Sequence, residues 1–224
     1  MDMVAFDTLD ISIHQDINQN WQEMVNLISE ISQIPATLIM RAYPKEIEVF
    51  ISSNSPGNPF TAQERERLGI GLYCESVITG KKMLMVNDAT RDPRWAQNPD
   101  IKLGLIAYLG FPLRWPNGDI FGTICMLDSQ PNQFDNPTKQ LLTRFKLVVE
   151  ADLKRIYQQA LLEQENQRLS KQLHKQSFEF DQLQQKTQQE AFERNYNATN
   201  NDLQSKENTI GTDGITPLDR QRLL

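Results

Sequence analysis

Residues 107–128 read AYLGFPLRWPNGDIFGTICMLD, and they carry the clearest structural signal in this chain of 224 residues. Two apolar runs, residues 107–113 and 120–127, flank a turn sequence that contains Asn117-Gly118. Both of these residue types tolerate the positive φ angles of a tight turn, and Asn-Gly between apolar runs is typical of a β-hairpin. The sequence therefore predicts two antiparallel strands at this point.

Other short apolar runs predict more strands of the same sheet. Residues 36–42 and 46–52, separated by Tyr-Pro-Lys, predict a second hairpin, and residues 83–86 predict a further strand. At least five strands joined mostly by tight turns are typical of an antiparallel sheet. With helices at both ends, they predict an α+β domain.

Helix signals lie on either side of these strands. Apolar residues recur at helical spacing from Trp21 to Ile31, and residues 74–79 predict a short helix with Gly80 as its left-handed cap. Asp135, followed by Asn-Pro, is typical of a helix start, and nothing stops that helix for dozens of residues. Its first apolar face is expected to pack on the sheet through Leu141, Leu142, Phe145, Val148, Val149, Leu153 and Ile156.

The overall composition excludes several classes of function. A formal net charge of −6 does not provide the basic surface that binding to a nucleic-acid backbone requires. With 2 Cys and 2 His, the sequence predicts no disulfide framework, metal site or catalytic triad. No apolar run reaches the roughly 18–20 residues of a membrane helix, and residues 1–13 lack the basic start of a signal peptide. We expect a cytoplasmic protein with reduced cysteines and neither nucleic-acid nor membrane partners.

Two stretches resemble a GAF domain of the subtype found at the front of bacterial signalling enzymes. They are GLYCESVITGKKMLMVNDATRDPRW at residues 71–95 and NPDIKLGLIAYLGFPLRWPNGDIFGTICMLD at residues 98–128, and the likeness extends over residues 21–152. The resemblance implies a GAF-like central antiparallel β-sheet flanked by helices. It also implies a ligand-sized pocket between one sheet face and the connecting loops, and a sensory or dimerising role rather than catalysis.

This resemblance points to seven candidate ligand-binding residues, which are Tyr73, Cys74, Asp88, Arg94, Trp95, Tyr108 and Cys125. In one interpretation Tyr73 and Trp95 line the pocket and Arg94 contacts an anionic ligand. In the other, which common turn chemistry favours, Asp92-Pro93 begins a turn and Trp95 covers the sheet edge. Tyr108 lies on a strand, where a place in the core is favoured.

The two cysteines also have two interpretations. Some GAF proteins reduce free methionine sulfoxide with cysteines, which makes a redox pair of Cys74 and Cys125 one hypothesis. Those enzymes use additional cysteines on a pocket loop, and this chain has none, so packing as small apolar side chains is favoured. Neither cysteine is followed by His, as bilin-binding cysteines of phytochrome GAF domains typically are. We therefore expect no bilin and no other cofactor.

The long final helix carries a heptad pattern. Spacings of four and three alternate along Leu162, Asn166, Leu169, Leu173, Gln176, Phe180, Leu183 and Thr187. An Asn at one core position favours a parallel dimer in register, so we expect a homodimer through a coiled-coil signalling helix at residues 153–195. The polar core positions leave a solvated, fraying helix as the alternative. Residues 196–212 are predicted to be a disordered segment or linker.

The final segment, DGITPLDRQRLL at residues 213–224, resembles the entry to a diguanylate cyclase (GGDEF) domain, although Pro217 and Arg220 depart from its usual pattern. The expected order is an N-terminal extension at residues 1–20, a GAF sensory domain at 21–152, the coiled coil, the linker and a truncated start of a GGDEF-like domain. The resemblance implies a regulatory module for a diguanylate cyclase, with no catalytic domain in this chain. Alternatives are a stand-alone binding or scaffold protein, a histidine-kinase sensor module and a thiol-dependent methionine sulfoxide reductase.

Overall fold

The computed structural model describes residue 11 and residues 13–210. The chain divides into two units, of which the first ends at Leu162 and the second begins at Glu163. Part of the expected N-terminal extension and all of the segment 213–224 lie outside the described residues. The GGDEF-like start at residues 213–224 therefore stays a prediction.

The first unit contains a six-stranded antiparallel sheet, which confirms the predicted α+β class. Its strands are β1 (Ala36–Ala42), β2 (Glu46–Ser52), β3 (Arg65–Arg67), β4 (Leu84–Val86), β5 (Ala107–Arg114) and β6 (Ile120–Asp128). Their spatial order is β3-β2-β1-β6-β5-β4, so the first strand and the last pair at the centre of the sheet.

The hairpin predicted at Asn117-Gly118 joins β5 to β6. Gly118 has a φ of 91°, in the left-handed region where glycine is favoured. Its backbone N–H donates a hydrogen bond of 2.9 Å to the carbonyl of Trp115, and the Trp115 N–H donates one of 2.9 Å to the carbonyl of Asp119. This turn sets a register in which Leu113 lies opposite Gly122.

At the centre of the sheet, β6 approaches β1 closely at Gly122. A Cβ atom at this position would lie 1.7 Å from the carbonyl oxygen of Met40 and 2.7 Å from its carbonyl carbon. Both are backbone atoms, so no change of rotamer relieves the overlap. The central strand pair therefore requires glycine at position 122.

The edge strand β3 is absent from the prediction. All of its residues are exposed and charged, and it pairs only with β2 at one end of the sheet. A strand with no buried face has no apolar alternation from which it could be recognised. Charged side chains are a common feature of such edges, where they discourage pairing with other chains.

Three α-helices lie within the described residues, α1 (Gln15–Ser32), α2 (Tyr73–Gly80) and α3 (Asn136–Ile210). Asp135 caps α3 as predicted, because its carboxylate accepts a hydrogen bond of 2.8 Å from the backbone N–H of Thr138. The predicted cap of α2 is wrong by one residue. Gly80 is still helical, and Lys81 takes the left-handed conformation with a φ of 50°.

Helices α1 and α3 contribute to a buried apolar cluster on one face of the sheet. Its centre is a triangle of edge-to-face rings from Trp21, Phe50 and Phe121, with centroids 6.0 to 6.1 Å apart. The predicted apolar face of α3 packs here, but Val148 is exposed to solvent. A second cluster, on the opposite face, includes residues of α2 and of the loops after β4.

The second unit contains the remainder of α3, with every described side chain exposed. The helix continues to Ile210 and so includes residues 196–210, for which disorder or a linker was expected. That expectation rested on low apolar content, which does not exclude the continuation of a helix that has already formed, because propagation is easier than nucleation. No helix in the described part of the chain combines the length and apolar character needed to cross a bilayer.

Candidate functional site

A cavity of about 470 Å³ lies on the sheet face that α2 covers. Apolar residues of β1 and β2 form much of its wall, and the 3-10 helix Pro99–Leu103 forms another part. Its lining comprises Leu38, Met40, Ile47, Val49, Pro59, Phe60, Glu64, Arg65, Glu66, Leu72, Cys74, Pro99, Asp100, Leu103 and Leu127. An apolar enclosure with a few polar groups is typical of a small-molecule site.

The buried side chain of Asn98 fixes the position of this 3-10 helix. Its Oδ1 accepts a hydrogen bond of 2.8 Å from the backbone N–H of Asp100, which caps the helix. Its Nδ2 donates one of 2.8 Å to the carbonyl of Gly71, just before α2. Asn98 therefore connects two segments that border the cavity.

Asp100 is the buried charge of the cavity, with 7% of its surface exposed. Among the described residues, none donates a hydrogen bond to its carboxylate or forms an ion pair with it. Burial raises the pKa of Asp100 from 3.8 to about 6, since water is largely removed from the charged form. A buried carboxylate without a partner is unusual, because most buried charges are paired.

The cavity also has charged groups at its β3 side, where Glu64, Arg65 and Glu66 contribute to the lining. The Arg65 guanidinium is already engaged, at 3.5 Å from the carboxylate of Glu48 and 3.7 Å from that of Glu46. It also lies 4.7 Å from the ring centroid of Tyr43. Its charge is therefore balanced within the β2–β3 edge rather than by Asp100.

The two cysteines lie together at the inner wall of the cavity, and Cys74 is part of the lining. The Sγ atoms of Cys74 and Cys125 are 3.9 Å apart, and both thiols are free. Hydrogen bonds from Cys125, Thr123 and Tyr108 lower the pKa of Cys74, whereas burial raises the pKa of Cys125. The two thiols thus form one buried contact pair at the cavity wall.

Three of the predicted site residues are aromatic, and their rings pack against one another beside the cavity. The ring of Tyr73 lies 4.9 Å from that of Tyr108 and 5.0 Å from that of Trp95, centroid to centroid. Tyr73 is fully buried, and its hydroxyl has no hydrogen-bond partner among the described residues. Burial, followed by the charges of Asp100 and Asp88, raises the pKa of Tyr73 well above its ordinary value. These rings form core structure and do not line the cavity.

Asp88 and Arg94 take structural roles in the loop after β4. The Asp88 carboxylate accepts a hydrogen bond of 3.0 Å from the backbone N–H of Thr90 and so caps a short 3-10 helix. The exposed Arg94 pairs with Asp92, with 2.6 Å between Nη2 and Oδ2. Asp92 also caps the turn that begins at Pro93, as the turn interpretation predicts. The side chains of Asp88 and Arg94 do not belong to the cavity lining.

Of the seven candidate residues, Cys74 alone lines this cavity, with Cys125 in contact behind it. The prediction did not include Asp100, Asn98 or Arg65. A signal for the first two was available, because Asn98-Pro99 has the same helix-start pattern as Asn136-Pro137. The pairing of Arg65 depends on an edge strand that the apolar pattern does not reveal.

Together, the six-stranded sheet, the helices on one face and the cavity on the other define an α+β domain with a concave site of ligand size. The family model for the GAF domain matches residues 16–150, more than half of the chain. The protein therefore belongs to the GAF domain family, as its sequence motifs indicated.

Several solved structures share this fold. A free methionine-R-sulfoxide reductase from Neisseria meningitidis, in complex with its substrate, has a TM-score of 0.53 and 15% identity, over 66% of this chain and 83% of its own. A fragment of a methyl-accepting chemotaxis protein, residues 122 to 287, has a TM-score of 0.53 and 12% identity, and the match covers 63% of this chain and 90% of the fragment. The chromophore-binding domain of a bacteriophytochrome from R. palustris has a TM-score of 0.51 and 11% identity, and the match covers 64% of this chain and 57% of that domain. At these identities the likeness establishes the fold alone, and a comparison with curated proteins finds no match.

Proposed function

We propose that this protein is a cytoplasmic sensory module whose GAF domain binds a small molecule and regulates a signalling output. The observation that carries this proposal is the cavity of about 470 Å³ between the sheet and the 3-10 helix Pro99–Leu103. The same domain places the first part of α3 in the apolar cluster on the opposite sheet face. A ligand that alters the sheet can therefore alter the packing of α3.

A thermal-shift screen of nucleotides, amino acids and small organic acids tests ligand binding. A bound compound raises the unfolding temperature because it stabilises only the folded state. The variant Leu103→Trp places a bulky ring at the cavity, where Leu103 is 52% exposed, and is expected to weaken any hit at least tenfold. Leu147→Trp is the matched control, at a residue that is 48% exposed and outside the lining. A screen without a hit, or equal effects of the two variants, argues against the proposal.

We further propose that α3 forms a parallel homodimer through its heptad residues. Leu173 and Leu183, both exposed in the single chain, occupy positions of the apolar seam. Asn166 occupies a core position where a buried amide favours two parallel strands in register. A second copy of α3 supplies a seam with the same heptad spacing. This match supports a homodimer over binding to an unrelated helix.

Two substitutions of equally exposed residues test the dimer. Leu183 lies on the seam and Phe178 lies on the outer face of the same helix, and each is 63% exposed. Sedimentation equilibrium of the full chain is expected to show a dimer that Leu183→Lys dissociates and Phe178→Lys leaves intact. A wild-type monomer at tens of micromolar, or equal dissociation by both variants, would contradict the dimer.

The identity of the output is a narrower proposal. The resemblance of residues 213–224 to a GGDEF entry supports a diguanylate cyclase, and no other observation supports it. A histidine-kinase output or a scaffold role requires the same sensory domain and helix. Sequencing of the gene past the Leu224 codon separates these outputs, because a continuing frame with a GG(D/E)EF loop identifies the cyclase and a phosphoacceptor His identifies the kinase.

A second candidate function is favoured by the thiol pair at the cavity wall. Cys74 lies within contact distance of Cys125, and its pKa is lowered by hydrogen bonds. In a reductase reaction, a sulfoxide substrate accepts two electrons and two protons from the two thiols, its oxygen leaves as water, and a disulfide forms. Methionine formation from free methionine sulfoxide with dithiothreitol as the final reductant tests this reaction. Turnover that is lost in both Cys74→Ser and Cys125→Ser supports it, and turnover that survives in the double variant excludes it.

A further inference from the structure

Asp100 is held in place by its backbone, and its carboxylate remains unpaired. Asn98 caps the 3-10 helix Pro99–Leu103 through the Asp100 N–H, and the Asp100 carbonyl accepts a hydrogen bond of 3.1 Å from the N–H of Leu105. Both backbone groups are therefore satisfied. The carboxylate of this 93% buried residue has no partner among the described side chains.

Ionisation of the Asp100 carboxylate is costly in free energy, because burial removes water and no charged partner replaces it among the described residues. Removal of a charged group from water is costly unless a partner of opposite charge replaces the lost hydration. The cavity borders Asp100, so a ligand group within it could supply that partner. A charge-assisted hydrogen bond from a cationic nitrogen is among the strongest contacts such a carboxylate can make.

The charged groups of the lining also offer little to an anion. Glu64 and Glu66 add two carboxylates to the lining, and the guanidinium of Arg65 is occupied by Glu46 and Glu48. The thiol of Cys74 is the remaining titratable group in the described lining, and it carries no positive charge in either form. Within the described lining, an anionic ligand would therefore find no cationic group that is not already paired.

The rest of the wall determines the other part of the ligand. Leu38 and Met40 of β1, Ile47 and Val49 of β2, and Leu72 present apolar surface. A purely charged ion such as ammonium would leave this surface unused. The complementary molecule carries one cationic nitrogen and an apolar body that fits within about 470 Å³.

We propose that the cavity selects a small organic amine, whose ammonium group pairs with the Asp100 carboxylate and whose apolar body lies against β1 and β2. This inference rests on the proposed sensory function, since it names the ligand class of the same site. Asn98 then acts as a positioning residue, because it holds the backbone of Asp100 without contacting the ligand.

Three probes of nearly equal shape test this selection on the full chain by isothermal titration calorimetry. They are 2-phenylethylamine, 2-phenylethanol and phenylacetate, which differ in charge at one end. Wild-type protein is expected to bind the amine at least tenfold more tightly than the alcohol and to bind phenylacetate least. In Asp100→Asn the preference for the amine is expected to disappear.

Asp16→Asn is the matched control, because it makes the same change at an exposed residue outside the lining. We expect its affinity for the amine to stay within threefold of wild type. Asp100→Ala is measured beside Asp100→Asn, and thermal unfolding confirms that each variant is folded. An amine bound no better than the alcohol, or equally well by wild type and both Asp100 variants, would overturn the inference.

The outcomes separate this inference from the sensory proposal. If the alcohol, phenylacetate or a neutral compound from the wider screen binds wild type at least as tightly as the amine does, the cavity is a ligand site without amine selection. If the amine and all screened compounds fail to bind, both proposals are overturned. Loss of amine preference in Asp100→Asn alone supports the pairing with Asp100.

Discussion

The indole N–H of Trp21 donates a hydrogen bond of 2.9 Å to the carboxylate of Asp152, which connects α1 to α3 across 131 positions of the sequence. Trp21 is fully buried in the apolar cluster beside Phe50 and Phe121. Asp152 also forms an ion pair with Arg155 one turn further along α3. One carboxylate thus satisfies the polar atom of a core tryptophan and joins α1 to the part of α3 within the first unit.

Replacement of Asp152 by Ala is expected to destabilise the first unit. The buried indole N–H would lose its acceptor, and an unsatisfied buried donor costs about 1–3 kcal/mol. Chemical denaturation followed by tryptophan fluorescence measures this loss. Asp181→Ala, at an exposed position of the same helix, is the control and should change stability by less than about 0.5 kcal/mol. Equal effects of the two substitutions would show that the Trp21 contact contributes little.

Addition of one methyl group at Gly122 is expected to be more damaging. In Gly122→Ala the new Cβ meets the Met40 carbonyl at 1.7 Å, so β1 and β6 must separate, and overpacking of this kind costs about 1–3 kcal/mol or more. Gly80→Ala is the matched control, since its Cβ meets only the flexible Lys82 side chain, at 3.5 Å and beyond. Denaturant midpoints should fall for Gly122→Ala and stay constant or rise for Gly80→Ala.

The two stacked tyrosines should respond differently to loss of their hydroxyl groups. Tyr73→Phe removes a buried hydroxyl that has no partner among the described residues, so stability should stay constant or increase. Tyr108→Phe removes the hydroxyl that lies 3.4 Å from Cys74 Sγ, so a loss of about 0.5–1.5 kcal/mol is expected. Parallel urea titrations rank the variants, and a Tyr73→Phe protein weaker than Tyr108→Phe would contradict this assignment.

Asp100 should make stability fall as the pH rises from about 4 to 7. Its folded pKa of about 6 exceeds the unfolded value of 3.8, so the folded protein binds more protons in this interval. At 1.36 kcal/mol per pKa unit, full ionisation costs the folded state about 3 kcal/mol. Asp100→Asn should lack this component and be more stable than wild type at pH 7.5. Identical pH profiles for the two proteins, measured by urea denaturation, would contradict a buried ionisable Asp100.

The sequence predicted those parts of the fold that depend on local patterns. The Asn117-Gly118 turn, the Asp135 cap and the apolar runs of five strands are all readable from neighbouring residues. β3 was missed because edge pairing, rather than an apolar face, makes Arg65–Arg67 a strand. The left-handed Lys81 was missed because glycine is the statistical choice for such a position.

The site was harder to predict because it depends on contacts between distant segments. Asp100 is an ordinary polar loop residue in the sequence, and its burial beside a cavity that β1 and β2 also line is visible only in the fold. Arg94, an attractive candidate by charge, is instead engaged by its neighbour Asp92. For Cys74 and Cys125 the sequence favoured separate packing in the core and left a pair as the other hypothesis, because their contact depends on the register of the folded sheet.

Strand β6 is a single strand that contacts both apolar clusters, one on each face of the sheet. Successive side chains point to opposite sheet faces, so Cys125 and Leu127 belong to the cluster that borders the cavity, while Ile124 and Met126 belong to the cluster that holds α1 and α3. Any displacement of this strand is shared at once by both close-packed clusters. An occupant of the cavity that displaces β6 therefore also displaces the cluster that holds α1 and α3, and no relay of other residues along the chain is required.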